Sequence, residues 1–180
     1  RPVTAATAEA MRKVLFDIIV APGYEPDALE ILKQRRRTRI LEADPAAGPL
    51  GMLDVRTVSG GALVQTVDAI DEDPTSWEVA TEKKPTDSEL RDLGFAWKAS
   101  KHIKSNTMVL AKDNTLVGMG AGQPNRVTSV HLALRIAGDK AQGSVMASDA
   151  FIPFPDSVEM AAEGGITAIA QPGGSIRDSD

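Results

Sequence analysis

Residues 108–134, MVLAKDNTLVGMGAGQPNRVTSVHLAL, decide how the chain is read. Met108 to Ala111 and Thr115 to Met119 are short β-like runs. The Asp113-Asn114 step between them predicts a hairpin, although the usual Asn-Gly is missing. Gly118-Met119-Gly120-Ala121-Gly122 then leads into a helix marked by Val127, Val130 and Leu134. Downstream, Gly143 to Ala150 reads as a strand, Asp156 to Glu163 as a helix stopped by Gly164-Gly165, and Ile166 to Ala170 as a buried strand. Upstream, Thr86 with Glu89 three residues on is a capping-box pattern. It opens a helix with Leu90, Leu93 and Trp97 at helical spacing, which makes Trp97 a core residue.

The N-terminal stretch continues the alternation. Thr4 to Val14 predicts a helix, Leu15 to Val20 a strand, and Ala21-Pro22-Gly23 a break. Pro26 stands in the first turn of a helix carrying Leu29 and Leu32 on one face and ending in Arg35, Arg36 and Arg37. That basic run is either an anion site or a set of cations facing the negative helix C-terminus. Arg39 to Ala43 is a strand, Asp44 to Gly51 a loop, and Leu53 to Val58 with Ala62 to Val67 a hairpin about Ser59-Gly60-Gly61. Strands and helices alternating in this way predict a layered α/β fold. The boundary falls in the acidic connection between residues 68 and 85, giving segments 1–84 and 85–180.

With 42% hydrophobic and 25% charged residues, the 180-residue chain can build a real core. It has no apolar run of about 18 residues and no signal-peptide stretch, so neither a membrane span nor secretion is expected. The absence of cysteine excludes disulfides and thiolate metal ligands and fits a reducing compartment, here read as cytoplasm. A net charge of -5 argues against a nucleic-acid footprint, so an anionic substrate would need a local basic cluster. The chain starts without Met and stops where an α/β pattern would begin another helix, so a fragment is expected.

Three segments carry chemistry-bearing residues. Lys98, Lys101 and His102 share a helix face before Lys104-Ser105-Asn106, where a solvated basic face is the plain alternative. Gly118 through Arg126 combines three glycines, which let backbone approach a ligand, with a helix N-terminus and an arginine. The spacing does not match the dinucleotide fingerprint, and a turn required only by packing is equally compatible with it. Ser148 to Asp156 places Phe151 and Phe154 among prolines where the chain leaves the sheet, a place for a flat ring. There the alternative is a hydrophobic plug, with Asp156 capping the next helix in a box with Glu159.

Taken together, these segments resemble one family. Val20-Ala21-Pro22-Gly23-Tyr24, Lys104-Ser105-Asn106, Val117 to Gln123 with Arg126, Ala137-Gly138-Asp139-Lys140, Ser148-Asp149-Ala150-Phe151 and Gln171 to Asp178 are similar to the AICAR transformylase domain of the bifunctional purine-biosynthesis enzymes. The resemblance runs in order along the whole chain.

It implies two cytidine-deaminase-like α/β subdomains without zinc, the chain holding the end of the first and most of the second. It implies transfer of a formyl group from 10-formyltetrahydrofolate to AICAR, within a homodimer that shares its active sites. Carried over residue by residue, Asn106, Arg126 and Phe151 match AICAR contacts. Val127, Phe154, Asp156, Ser175 and Ile176 match the folate pocket, and Ser105 with Asp149 match a potassium site. The family's catalytic pair lies in a Lys-His-x-x-Pro motif absent from this sequence, and Lys101-His102 is not followed by that proline. No catalytic residue is therefore expected here, and neither His102 nor His131 is expected to be the general base. Two other readings are a non-catalytic module that holds nucleotide or folate, and a dimerisation element whose glycine-rich turn only packs.

Overall fold

A computed structural model describes residues 1–44 and 53–178; of the loop expected at Asp44 to Gly51, residues 45–51 lie outside the described residues. Two compact units result, Arg1–Ala69 and Ile70–Asp180.

In the first unit, helix α1 (Ala5–Ala10) is capped by Thr4, whose hydroxyl accepts from the Thr7 N–H at 3.2 Å. It is shorter than expected because the chain tightens into a 3₁₀ turn at Met11–Lys13. Strand β1 (Ile18–Ala21) begins three residues later than the apolar run, leaving Leu15 exposed. Helix α2 (Pro26–Lys33) buries Ala28 and Leu32, four residues apart, against Ala8 and Ile19. Strand β2 (Arg39–Glu42) pairs in parallel with β1.

The arginine run departs from expectation, because α2 ends before it and Arg35 turns back. One Arg35 amino nitrogen donates to the carbonyl oxygens of Met11, Arg12 and Val14 at 2.7, 3.0 and 2.5 Å, and its guanidinium stands 5.6 Å from the Phe16 ring centre. Its cation thus closes the carbonyl end of the other helix rather than its own. Arg36, Arg37 and Arg39 border an open depression with Asp17 and Thr38. Strands β3 (Leu53–Val58) and β4 (Gly61–Thr66) form the expected hairpin, with Gly60 at φ +83° in its two-residue turn.

The second unit is built on a four-stranded sheet. Its strands are β5 (Met108–Lys112), β6 (Thr115–Gly120), β7 (Val145–Ser148) and β8 (Ala168–Ala170), in the spatial order β6-β5-β7-β8. β5 runs antiparallel to β6 and β7, and β7 runs parallel to β8. Helix α3 (Asp87–Ser100) covers one face, packing Leu93 and Ala96 on Val109, Ala111, Val145 and Ala147. Helices α4 (Arg126–Ala137) and α5 (Asp156–Glu163) supply Val130, Ala133 and Ala161 to the core on Met108, Leu110 and Met146. Strand neighbours point to opposite faces and both faces are covered, so Met108 through Ala111 read as one apolar run instead of alternating.

The Thr86–Glu89 capping box forms, with the Thr86 N–H donating to the Glu89 carboxylate at 2.8 Å and the Glu89 N–H to the Thr86 hydroxyl at 3.3 Å. Trp97 meets Trp77 edge-on at 5.4 Å within the α3-side core. Hydrogen bonding from the Thr167 hydroxyl, then from the Thr86 N–H and hydroxyl, holds the Glu89 carboxyl below its ordinary range. A depressed carboxyl stabilises the fold above its unfolded value and loses that contribution as pH falls through the folded one. Thr86→Ala should therefore cost about 1 kcal/mol near neutrality, and less once Glu89 is protonated. Urea unfolding in a series from pH 7 down to pH 2 checks this, and a cost that stays constant across the series would contradict the carboxylate's part.

At the β5–β6 turn, Asp113 and Asn114 both adopt φ +53°. The buried carboxylate of Asp92 on α3 accepts their N–H groups at 3.0 and 2.7 Å. This brace offsets the missing glycine, since short polar residues tolerate the left-handed region when the turn is held.

The glycine run has a packing role at two of its three positions. A Cβ on Gly118 would lie 2.3 Å from the Ala133 carbonyl oxygen, and one on Gly120 would lie 2.1 Å from that of Ser129. Those glycines let β6 and α4 touch backbone to backbone, so of the two readings left open for the glycine run, packing is the one that Gly118 and Gly120 follow. Gly122, at φ +65°, makes the turn that follows.

Candidate functional site

The sheet's connectivity gathers four segments at one end. Met108 opens β5 opposite Gly120, which closes β6, and opposite Ser148, which closes β7; Ala147 pairs with Ala170 at the end of parallel β8. Residues 104–107, 121–126, 149–155 and 171–178 therefore all leave or enter the sheet from the same edge. Ligands of open α/β sheets lie outside such strand ends.

At that edge Asn106, Arg126 and Asp149 form one cluster. The Asn106 amide nitrogen donates to the Gln123 carbonyl at 2.9 Å, and its side-chain oxygen accepts from the Arg126 guanidinium. Arg126 Nε also donates to the Ala150 carbonyl at 3.5 Å, and another of its nitrogens stands 3.6 Å from Asp149 Oδ1. Both ionic side chains are only 13% exposed. Backbone pairing supports the cluster: Gly122 N–H donates to Lys104 at 2.7 Å, and Asn106 and Gln123 exchange N–H bonds at 3.3 Å. The Ser105–Asn106 peptide is cis. Buried Thr107 ties together the ends of β6 and β7, the two strands that flank β5, its hydroxyl donating to the Gly120 carbonyl at 2.7 Å and its N–H to Asp149 at 3.0 Å. The Ser129 hydroxyl donates to the Asn106 carbonyl at 3.0 Å, tying α4 to the same loop. A guanidinium held on three sides keeps N–H donors for an incoming oxyanion at a fixed position.

The free-amide reading of the α4 N-terminus is modified, because the Asn125 side chain already accepts from the Thr128 N–H at 2.9 Å. Val127 sits half-buried in the first turn of α4.

Beside the cluster, Phe151 and Phe154 are 44% and 57% exposed, and Ile176 is fully so. The Arg177 guanidinium lies 5.8 Å from the Phe154 ring centre. Ser175 is half-buried, and its hydroxyl accepts from the Arg177 N–H at 3.1 Å. The capping box between Asp156 and Glu159, one of the two readings left open for this segment, does not form. Pro155 occupies the cap position, and Asp156 is the first helical residue, its Oδ1 accepting from the Ser157 N–H at 2.7 Å. Its other carboxylate oxygen has no hydrogen-bond partner among the described residues.

Of the two residues matched to a potassium site, Asp149 has its Oδ1 accepting from the Thr107 N–H and facing the Arg126 guanidinium at 3.6 Å. Among the described residues, no three His, Cys, Asp or Glu side chains are placed to hold a metal. His102 and His131 are both exposed, the first in the turn after α3 and the second on α4, and Lys98 pairs with Asp71 at 2.8 Å. No described helix is long and apolar enough to cross a membrane. Sequence reading gave no separate role to Thr107, Gln123, Ser129, Gln171 and Asp178, although Gln123, Gln171 and Asp178 stand inside the quoted motifs.

Comparison with known proteins matches residues 1–136 to the AICARFT/IMPCHase bienzyme model. The whole chain is 52% identical to the bifunctional purine biosynthesis protein PurH of Oceanobacillus iheyensis and covers 35% of it. It is 52% identical to that of Nostoc punctiforme, again over 35% of the relative, and 48% identical to that of Dictyostelium discoideum, over 34%. The chain thus spans about a third of the length of these curated relatives. With more than half its residues matched by the family model and its full length aligned to such relatives, the chain belongs to the AICARFT/IMPCHase bienzyme family.

Proposed function

We propose that this chain supplies substrate-binding parts of an AICAR formyltransferase, which moves a formyl group from 10-formyltetrahydrofolate to the amine of AICAR in purine biosynthesis. The observation that carries this reading is the convergence at one sheet edge of a fixed guanidinium cluster with an exposed aromatic and carboxylate surface, in a member of this family. Arg126 and Asn106 hold the anionic nucleotide, with Phe151 against it. Val127, Phe154, Asp156, Ser175 and Ile176 take the pterin and its neighbours. The two subdomains follow the cytidine-deaminase-like plan without zinc, and the enzyme is a cytoplasmic homodimer whose subunits share each site.

The amine of AICAR is a weak nucleophile because its lone pair is delocalised into the ring and carboxamide. Attack on the formyl carbon needs a base for the amine proton and a donor for the developing oxyanion. This sequence carries no Lys-His-x-x-Pro pair for those roles, and the 180 residues alone have no formyl-transfer activity.

Asp156 gives the test. A carboxylate oxygen without a partner can accept from a pterin's ring N–H and amino group. Asp156→Asn keeps an acceptor for the Ser157 N–H but replaces the charged acceptor by a donor. In the complete bienzyme it should weaken folate binding roughly tenfold or more and leave AICAR binding unchanged. Unchanged folate affinity would remove Asp156 from the pocket.

A further inference from the structure

The chain after β8 folds back on its own carboxylate. Asp178 Oδ2 accepts from the N–H groups of Gly174 and Ser175 at 2.6 and 3.0 Å. Its Oδ1 accepts from the Gln171 amide nitrogen at 3.4 Å, and the Gln171 side-chain oxygen accepts from the Ile152 N–H at 2.5 Å. Two polar side chains thus form a relay from the Gly173-Gly174 turn, where φ is +70° and +99°, to the backbone between Phe151 and Phe154. Ile152 is buried in the core, so that end of the relay is anchored. The loop end carries Ser175, Ile176 and Arg177, the last standing over Phe154.

We infer that Gln171 and Asp178 are positioning residues that set the spacing between the Ile176 loop and the Phe154 segment, and so the width of the slot for the flat folate ring. This rests on the formyltransferase reading of the site. Neither side chain need touch the ligand. Exposed loops with two glycines at positive φ have many conformations, and a carboxylate that takes two of their N–H groups selects one of them before the ligand arrives.

The relay has a direction that can be reversed. In D178N the amide oxygen can keep the Gly174 and Ser175 N–H groups, but its nitrogen then faces the Gln171 nitrogen, donor against donor. In Q171E a carboxylate faces the Asp178 carboxylate. In the double variant the new amide nitrogen donates to the new carboxylate, whose other oxygen still accepts from Ile152.

The experiment measures KM for both substrates in the complete bienzyme carrying each single variant, the double variant, and Phe154→Ala. Each single change should raise the folate KM roughly tenfold with the AICAR KM within about twofold, and the double should return most of the loss. The relay is overturned if Phe154→Ala raises the folate KM while D178N and Q171E do not. It is equally overturned if both substrates' KM values move together, or if the double is no better than the singles combined. No folate effect in any variant, Phe154→Ala included, would overturn the pocket reading and the relay with it.

Discussion

Replacing Gly120 by alanine is expected to cost the unit containing the four-stranded sheet about 3 kcal/mol or more. The added methyl would stand 2.1 Å from the Ser129 oxygen, 2.6 Å from its Cα and 2.7 Å from its carbonyl carbon. All three are backbone atoms of α4, so no side-chain rotation relieves the overlap and the helix must move off the strand. Both tryptophans lie in this unit and touch, so their fluorescence during urea unfolding reports it. Gly61→Ala, where a Cβ meets nothing within 4 Å, serves as the control and should stay within about 0.5 kcal/mol of the parent. Equal stability of the Gly120 and Gly61 variants would contradict the backbone contact.

The same contact links packing to the site. Ser129 touches Gly120 through its backbone and donates its hydroxyl to the Asn106 carbonyl, and Arg126 begins the same helix. Moving α4 outward carries Arg126 away from Asn106 and Asp149.

How far the sequence foretold this structure depends on how local each cause is. The Thr86–Glu89 box and the α5 bounds are set by residues within a few positions of one another, and both were legible, as was the place of the turn at Asp113-Asn114. The end of α2 was not, because Arg35 is recruited by carbonyls more than twenty positions earlier. Nor was the role of Gly118 and Gly120, since glycine spacing is the same whether backbone meets a ligand or a helix. Asp92 was missed for a similar reason: its partners lie on a hairpin 21 and 22 positions away. In the candidate site, Asn106, Arg126 and Asp149 were named through the family resemblance, while no periodicity could have placed them together. Gln171 and Asp178 stood within a quoted motif, yet their relay shows only in three dimensions.

Arg126→Ala in the complete bienzyme is expected to lower kcat/KM for formyl transfer by about a thousandfold while ring closure continues at its normal rate. The change removes the fixed cation and leaves Asp149 buried without its partner and Asn106 without its donor. Arg126→Lys restores the charge but not the geometry, since one ammonium cannot reach Asn106, Ala150 and Asp149 together, so it should recover only a small part. Loss of both activities to the same degree would point to general unfolding instead.

The proposed site joins Asn106 and Arg126 of one subunit to the catalytic pair of the other. Mixing a complete enzyme that lacks the catalytic His of the Lys-His-x-x-Pro motif with a complete enzyme carrying Asn106→Ala and Arg126→Ala tests that claim directly. Each parent should be nearly inactive, and mixed dimers formed after verified subunit exchange should regain one working site built from the intact half of each chain. No recovery despite exchange would show that Asn106 and Arg126 do not complete a site in the neighbouring subunit, and would contradict the shared-site account.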